Sequence, residues 1–233
     1  MRNRGLAILT FLAVLATAAF GLYRYYWPTV SWTQQITVEI DVSGVTYSGT
    51  GTTKVRITWQ PRLLPGIPIV QSEVSGEAAA VALPDGRYVF ALLSYFDRNI
   101  YSAAVAGDAF RDLGGERDAE SWKRATLQLP NVHATRELPP ELYPPLVTFG
   151  DINKSESAVL LEPQDLAAEL GEGVRLRRVL LTINPESETQ GETRALQQIL
   201  PWLTRNKGKN LDPEGDPFNP SFARLLMHGD FLR

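Results

Sequence analysis

Two acidic stretches carry the residue types that a hard cation needs. Asp151-Ile152-Asn153-Lys154-Ser155-Glu156-Ser157 begins like a calcium loop, and Glu162 falls at its twelfth position. Calcium binds side-chain and carbonyl oxygens at that kind of spacing. The sixth position is Glu156, however, where the sharp turn of such a loop needs glycine. An Asx-type turn, with Asp151 and Asn153 bonding their own backbone, is the plainer account. Asp212-Pro213-Glu214-Gly215-Asp216 is a compact acidic loop in which Asp212 and Asp216 are the cation candidates, and a solvated loop is the ordinary alternative.

Other chemistry has less to work with. Gly49-Thr50-Gly51-Thr52-Thr53-Lys54 superficially suggests a phosphate cradle, but it lacks the Walker spacing and leads into a strand. His133 and His228 are the only histidines, and a loop or surface histidine is the better account of each. The chain has no cysteine, which removes disulfides, thiolate zinc sites, iron–sulfur centres, thiol nucleophiles and lipidation on cysteine. No G-x-S-x-G, H-E-x-x-H or S-x-x-K signature is present. No cofactor is expected. A carboxylate pair assembled from distant residues is left open, with Glu73, Glu77 and Asp85 lying near one hairpin.

The densest basic cluster is Arg175, Arg177 and Arg178. On a strand, Arg175 and Arg177 share one face, where they could meet an acidic partner or an anionic headgroup, or simply protect a sheet edge with charge. The net charge of −3 argues against nucleic acid as a partner. That charge is unevenly placed: residues 1–27 hold three arginines and no acid, so residues 28–233 carry −6.

The same N-terminal stretch holds the strongest signal in the chain. Residues 5–22 carry no charge, followed by Tyr23, Tyr25, Tyr26 and Trp27, with Pro28 as a stop. At about 1.5 Å per residue, 18 helical residues reach roughly 27 Å, close to the hydrocarbon thickness of a bilayer. Leu6, Phe11, Leu15, Phe20 and Leu22 would face lipid, and the aromatic cluster suits the headgroup interface. Arg2 and Arg4 outweigh Arg24 on the far side, so the positive-inside rule puts the N-terminus in the cytoplasm. The expected organisation is a cytoplasmic 1–4, a signal anchor at 5–27, a tether at 28–32, one exported domain at 33–208, and a C-terminal loop and short helix at 209–233. Ala16-Thr17-Ala18 also fits a signal-peptidase site, and a buried or inverted helix is a further alternative.

The exported part reads as α+β, a mainly antiparallel sheet packed with three to five helices. Residues 33–42 alternate with Ile36, Val38, Ile40 and Val42 on one side, a half-buried strand. The Gly/Ser/Thr-rich residues 43–53 are expected to form a long loop before the alternation resumes at Lys54. Pro84-Asp85-Gly86 between two apolar runs predicts a hairpin, with residues 88–93 crossing the sheet centre. Ile100, Ala103, Ala104, Gly107, Phe110 and Leu113 trace a helical stripe ended by Gly114-Gly115. A weaker helix is expected at 116–127, a strand at 146–149 and a helix opened by Glu162-Pro163 and closed by Gly171. Residues 174–183 form a strand with both faces mixed, hence at an edge. An amphipathic helix at 193–203 and a last short helix near Phe222 complete the reading.

The order of GEAAAVALPDGRYVFALL, LVTFGDIN, VLLEPQDLAAELGEGVRLRRVLLTIN and LPWL resembles an uncharacterised family of proteobacterial single-pass membrane proteins, over most of residues 5–203. The resemblance implies an inner-membrane location and a single domain, and it brings no activity, cofactor or catalytic residue. The expectation is therefore a non-enzymatic domain anchored in the bacterial inner membrane with its C-terminal part in the periplasm. Its partners would be the bilayer, through residues 5–27, and another envelope or membrane protein. The alternatives are a small-ligand or cation-binding domain and a hydrolase with a non-local carboxylate site.

Overall fold

The computed structural model describes the chain except residues 1, 62–68, 95–100, 117, 119, 186–194 and 215–220, and the side chains of 2–8 and 195. Helix α1, Arg2–Tyr26, leads into the long strand β1, Thr29–Val42, which doubles back through Ser43-Gly44 into β2, Val45–Trp59. The φ values of Ser43 and Gly44 are 51° and 89°. Two positive φ angles give the turn whose twist matches that of the flanking strands. The ladder runs unbroken from Thr29 opposite Thr58 to Val42 opposite Val45.

The Gly/Ser/Thr-rich segment expected as a loop is therefore strand. Its glycines are needed for close approach: a Cβ on Gly49 would lie 2.0 Å from the Ala80 carbonyl oxygen, and one on Gly51 2.3 Å from the Ala79 nitrogen. The threonines and tyrosine around those glycines suit a pleated, half-buried surface.

Strand β3, Val70–Gly76, pairs with β2; β4, Ala79–Ala82, and β5, Tyr88–Ala91, form the expected hairpin over Pro84-Asp85-Gly86. Arg87 N donates to Asp85 Oδ1 at 3.0 Å, closing the turn. Then come α2, Tyr101–Ala109; α3, Ser121–Gln128; β6, Ala134–Glu137; β7, Leu146–Phe149; β8, Ala158–Leu161; α4, Ala167–Leu170; β9, Val174–Ile183; α5, Ala195–Ile199; and α6, Phe222–Leu225. The class is α+β with two antiparallel sheets where one was expected: β3-β2-β1-β9-β6 and β4-β5-β7-β8. The helical part of the described residues is smaller than expected. Among the described residues only α2 and α3 of the body reach two turns, and α4, α5 and α6 are single turns of four or five residues.

The smaller sheet is buried on both faces, which is why Tyr88–Ala91 is apolar throughout. One face, with Val81, Val89 and Leu146, packs on the inner face of the larger sheet and on α2. The other, with Phe90, Val147 and Phe149, packs on Leu196, Leu200, Trp202, Leu203, Leu226 and Phe231. The C-terminal residues set apart in the sequence reading thus close the second core. Backbone bonds from Ala78 N to Phe231 O (2.8 Å) and from Leu93 N to Asp230 O (2.7 Å) fasten them. The helical stripe is also shifted, with Ala104 exposed while Ser102, Val105 and Ala106 are buried.

Strand β9 lies between β1 and β6, but β6 covers only residues 180–183. Its first half is at an edge and its second half is interior. A register shift opposite Glu39 and Ile40 makes Arg177 the extra residue. Such a bulge flips the face of everything beyond it. Val174, Val179, Leu181 and Ile183 all point inward as a result, and the mixed pattern read from strict alternation resolves into one apolar and one polar face.

Candidate functional site

The N-terminal apolar helix α1 stands apart from the two-sheet body in its exposure. Every described side chain from Leu9 to Tyr26 is exposed, including Phe11, Leu15, Phe20, Leu22, Tyr23, Tyr25 and Tyr26. Leu9–Tyr26 is long and apolar enough to cross a membrane, a test that a signal sequence also passes. Arg2, Arg4 and Leu6 lie where side chains are not described. At its C-terminal end the helix is joined closely to the domain. Trp27 is half-buried against the first core, its ring 5.2 Å from that of Tyr23. Arg24 Nη1 donates to Thr29 Oγ1 (3.2 Å), which donates to Thr58 Oγ1 (3.2 Å), and Trp59 N donates to Pro28 O (3.0 Å). Residues 29–32 of the expected tether are the start of β1, with Trp32 buried. Only Trp27 and Pro28 separate helix from sheet.

At the other end of β1 lies the arginine cluster. Arg178 grips Glu39 through two bonds (Nε–Oε2 2.9 Å, Nη2–Oε1 3.1 Å), and Arg175 Nη2 reaches Asp41 Oδ2 at 3.1 Å. Arg177, the extra residue of the bulge, donates to Thr46 Oγ1 (2.8 Å), which donates to Asp41 Oδ1 (2.7 Å). The Thr46 hydroxyl first, and then Arg175 and Arg177, hold the Asp41 carboxyl below its ordinary range against the opposing effect of burial. The hydrogen bond from Arg178 to Glu39 raises the guanidinium's pKa. Arg175 and Arg177, proposed from sequence as partner contacts, are thus paired within the chain, though the Arg175 side chain stays 76% exposed.

The cation candidates are not brought together. Asn153 N donates to Asp151 Oδ1 at 3.0 Å, an Asx turn, and Lys154 Nζ stands 3.8 Å from the other oxygen. Strand β8 then runs back along β7 and carries Glu162 away from that loop by about 13 Å at ~3.3 Å per residue. Asp212 accepts from Ser221 Oγ (2.6 Å), and Asp216 lies outside the described residues. Among the described residues no three His, Asp or Glu side chains gather as a metal site would require.

Two carboxylates in the interior have raised pKa values. Burial pushes Asp230 up, while Ser94 Oγ donates to its Oδ1 and Met227 N to its Oδ2 (2.7 Å). Arg233 Nη2 donates to the same Ser94 oxygen at 3.0 Å. With Ser94 only 2% exposed, this group fastens the C-terminal segment to the end of β5 and leaves a substrate no access. Burial also raises Glu77, whose Oε1 has no hydrogen-bond partner among the described residues. Glu77, Thr53, Tyr101 and Ser102 line a small cavity between the sheets with room for about one water molecule. His133 Nδ1 bonds the Asn184 carbonyl at 2.9 Å, and burial lowers the pKa of His228.

One important residue has no counterpart in the sequence reading. Asn184, at φ 44°, ends β9; its Nδ2 donates to the carbonyls of Leu129, Pro130 and Val132, and its Oδ1 accepts from Thr33 N. The Asn-Pro dipeptide at 184–185 was the available signal, since it marks a turn.

No protein-family profile, curated protein or solved structure matches the chain. The resemblance drawn from the order of its segments therefore rests on the sequence alone.

Proposed function

We propose that the chain is a membrane-anchored accessory domain of the bacterial envelope, non-enzymatic, that works by contact with another membrane or envelope protein. In this reading α1 spans the inner membrane with its N-terminus in the cytoplasm, and the two-sheet body lies in the periplasm. The observation that carries it is the junction. An apolar helix exposed over its described length is tied by Arg24, Trp27 and Pro28 to the first strand of a folded domain. A sheet held that closely to a spanning helix works within reach of the bilayer surface, which selects partners that are themselves in or near the membrane.

The outer face of the larger sheet is the surface offered. It carries Thr33, Gln35, Thr37, Thr50 and Thr52 at its centre and the paired Arg175, Arg177, Glu39 and Asp41 at its distal end. Such ion pairs contribute little to stability where they are exposed, but they set which partner's charges are tolerated. The cation-binding and hydrolase readings have less support. Asp151 and Asp212 are engaged in local bonds, and Glu77 is the single carboxylate lining the cavity among the described residues.

Crosslinking in cells from cysteines placed at Thr37 and Thr50, followed by mass spectrometry, tests this function. A discrete membrane or envelope protein captured from both positions is expected. Recovery of uncrosslinked monomer alone from both positions would count against it.

A further inference from the structure

The larger sheet ends on one side in β3, whose outer edge pairs with no other strand of the sheet. We infer that this edge receives an extended segment of the membrane or envelope partner as an added antiparallel strand. The inference rests on the proposed contact function and names where that partner's backbone goes.

The ladder fixes which backbone groups are offered. Gln60 N donates to Ile69 O (3.0 Å) and Glu77 N to Thr52 O (3.1 Å). Bonds of an antiparallel pair fall on alternate residues, so 71, 73 and 75 between them also bond β2. Val70, Ser72 and Val74 turn their N–H and C=O groups outward, and none has a partner there among the described residues. Gly76 is next in that row, and its groups are taken: Gly76 N donates to Arg233 O (2.7 Å) and Arg233 N to Gly76 O (3.0 Å). Leu232 stands antiparallel opposite Glu77, and Ala78 N donates to Phe231 O. Residues 231–233 thus act as a short added strand over 76–78. The edge from Val70 to Val74 stays open, roughly 13 Å at ~3.3 Å per residue.

Native sheet edges are blunted by charge, proline or bulges. The free first half of β9 has both a bulge and Arg175, Arg177 and Arg178. By contrast, β3 reads Val-Gln-Ser-Glu-Val-Ser-Gly and pairs with β2 without a register shift. Its one charge, Glu73, stands 3.6 Å from Arg56. The chain guards one edge and leaves the other ready for pairing.

The anchor decides the occupant. Val70 stands opposite Trp59, whose N–H bonds Pro28 at the end of α1, so the open edge lies at the helix end of the sheet. Two copies joined by antiparallel β3 edges would be related by a two-fold axis normal to the sheet. Their α1 helices would then leave at opposite ends, which one bilayer cannot hold. A different chain meets no such conflict. An antiparallel strand added here runs toward the α1 end, the sense of a segment leading into its own membrane span. Its inward side chains extend the half-buried row of Val70 and Val74 and should be apolar, while those beside Glu73 should be neutral or basic.

The test uses the full chain, first alone and then in cells. In detergent, amide hydrogen exchange should be fast at 70, 72 and 74 and slow at 71, 73 and 75. Loss of that alternation would overturn the inference, since the edge would be closed or β3 unpaired. In cells, a photo-crosslinking residue at Gln71 should capture the same protein as crosslinkers at Thr37 and Thr50. Ser72→Pro removes an outward N–H without costing β3 a bond to β2, and should cut capture from position 71 by about tenfold or more. Ser72→Ala should leave capture unchanged. Thermal melting checks the fold of both, and Val74→Pro, whose N–H is also outward, repeats the test if Ser72→Pro melts early. Capture that survives both prolines, or capture from 37 and 50 but not 71, would overturn this inference and leave the contact function. A second copy of the chain captured from 71 would also overturn it. No protein captured from any position would overturn both.

Discussion

Asn184→Ala is the substitution whose cost the structure defines most fully. The side chain donates to three carbonyls, at 3.0 Å (Leu129), 3.2 Å (Pro130) and 2.9 Å (Val132), and accepts from Thr33 N at 3.0 Å. It thereby ties the turn after α3 to the β1–β9 ladder. The site is half-buried, so water recovers part of what is lost, and about 0.5 kcal/mol per contact is a fair share of the net value of a hydrogen bond. The amide has two N–H hydrogens to share among the three carbonyls, so two donated bonds and one accepted bond amount to about 1.5 kcal/mol. Alanine at a φ of 44° adds about 1 kcal/mol, because Cβ crowds the following carbonyl in that region. The expected loss is about 2.5 kcal/mol, roughly a 70-fold fall in the folded-to-unfolded ratio, against a typical total of about 5–15 kcal/mol. Urea unfolding of the detergent-solubilised chain, followed by tryptophan fluorescence, measures it. Asn184→Gly keeps the backbone conformation and should cost about 1 kcal/mol less than alanine. Asn184→Asp sets an oxygen against three carbonyls and should cost at least as much as alanine. An unchanged midpoint for Asn184→Ala would refute the reasoning, and glycine as costly as alanine would refute its backbone share.

Other perturbations separate further parts of the account. Gly49→Ala pushes a methyl to 2.0 Å from the Ala80 carbonyl, backbone against backbone, and should cost about 3 kcal/mol or more, at the upper end for an overpacked core. Gly150→Ala, whose Cβ would meet nothing closer than 3.8 Å, should change the melting midpoint by no more than about 0.5 kcal/mol's worth. Similar midpoints for the two would contradict the packing of β2 on β4. Glu77 has a pKa raised by burial above 4.5, so its ionised form penalises the fold, and stability from this group falls as pH rises from about 4.5 through the raised value. Glu77→Gln should therefore unfold at higher urea than the parent at pH 7, with the gap closing toward pH 4.5. A gap that widens in acid would reverse the assignment.

Features set by local rules were legible in the sequence. Pro84-Asp85-Gly86 gives its hairpin by turn chemistry alone, Ile36, Val38 and Ile40 point inward by alternation, and the apolar run at the N-terminus is a single helix. What escaped depends on partners far away in sequence. Gly49 and Gly51 look like loop residues until the backbone of Ala79–Ala80 lies against them. Arg177 looks like a strand residue on one face until a bulge turns the remainder of β9 over. A second sheet buried on both faces cannot be told from a central strand by an apolar run such as Tyr88–Ala91, and the residues that cover it, Trp202 and Phe231, lie more than a hundred positions away. For the candidate site, the helix was plain. Its close junction was not, because alternation is visible only from Thr33 while the ladder begins at Thr29. The acidic clusters read as possible cation loops because spacing says nothing of where β8 carries Glu162.

The central claim is that α1 crosses a membrane and that the two-sheet body lies beyond it. The most direct measurement is a matched pair of fusions after Arg233, joined through a flexible linker and expressed in a bacterial host: alkaline phosphatase, active only after export, and a fluorescent protein that matures only in the cytoplasm. The account expects an active phosphatase and a dark fluorescent fusion, both sedimenting with membranes and resisting alkaline carbonate. An inactive phosphatase with a bright fluorescent fusion, or a body released into the soluble fraction, would contradict it.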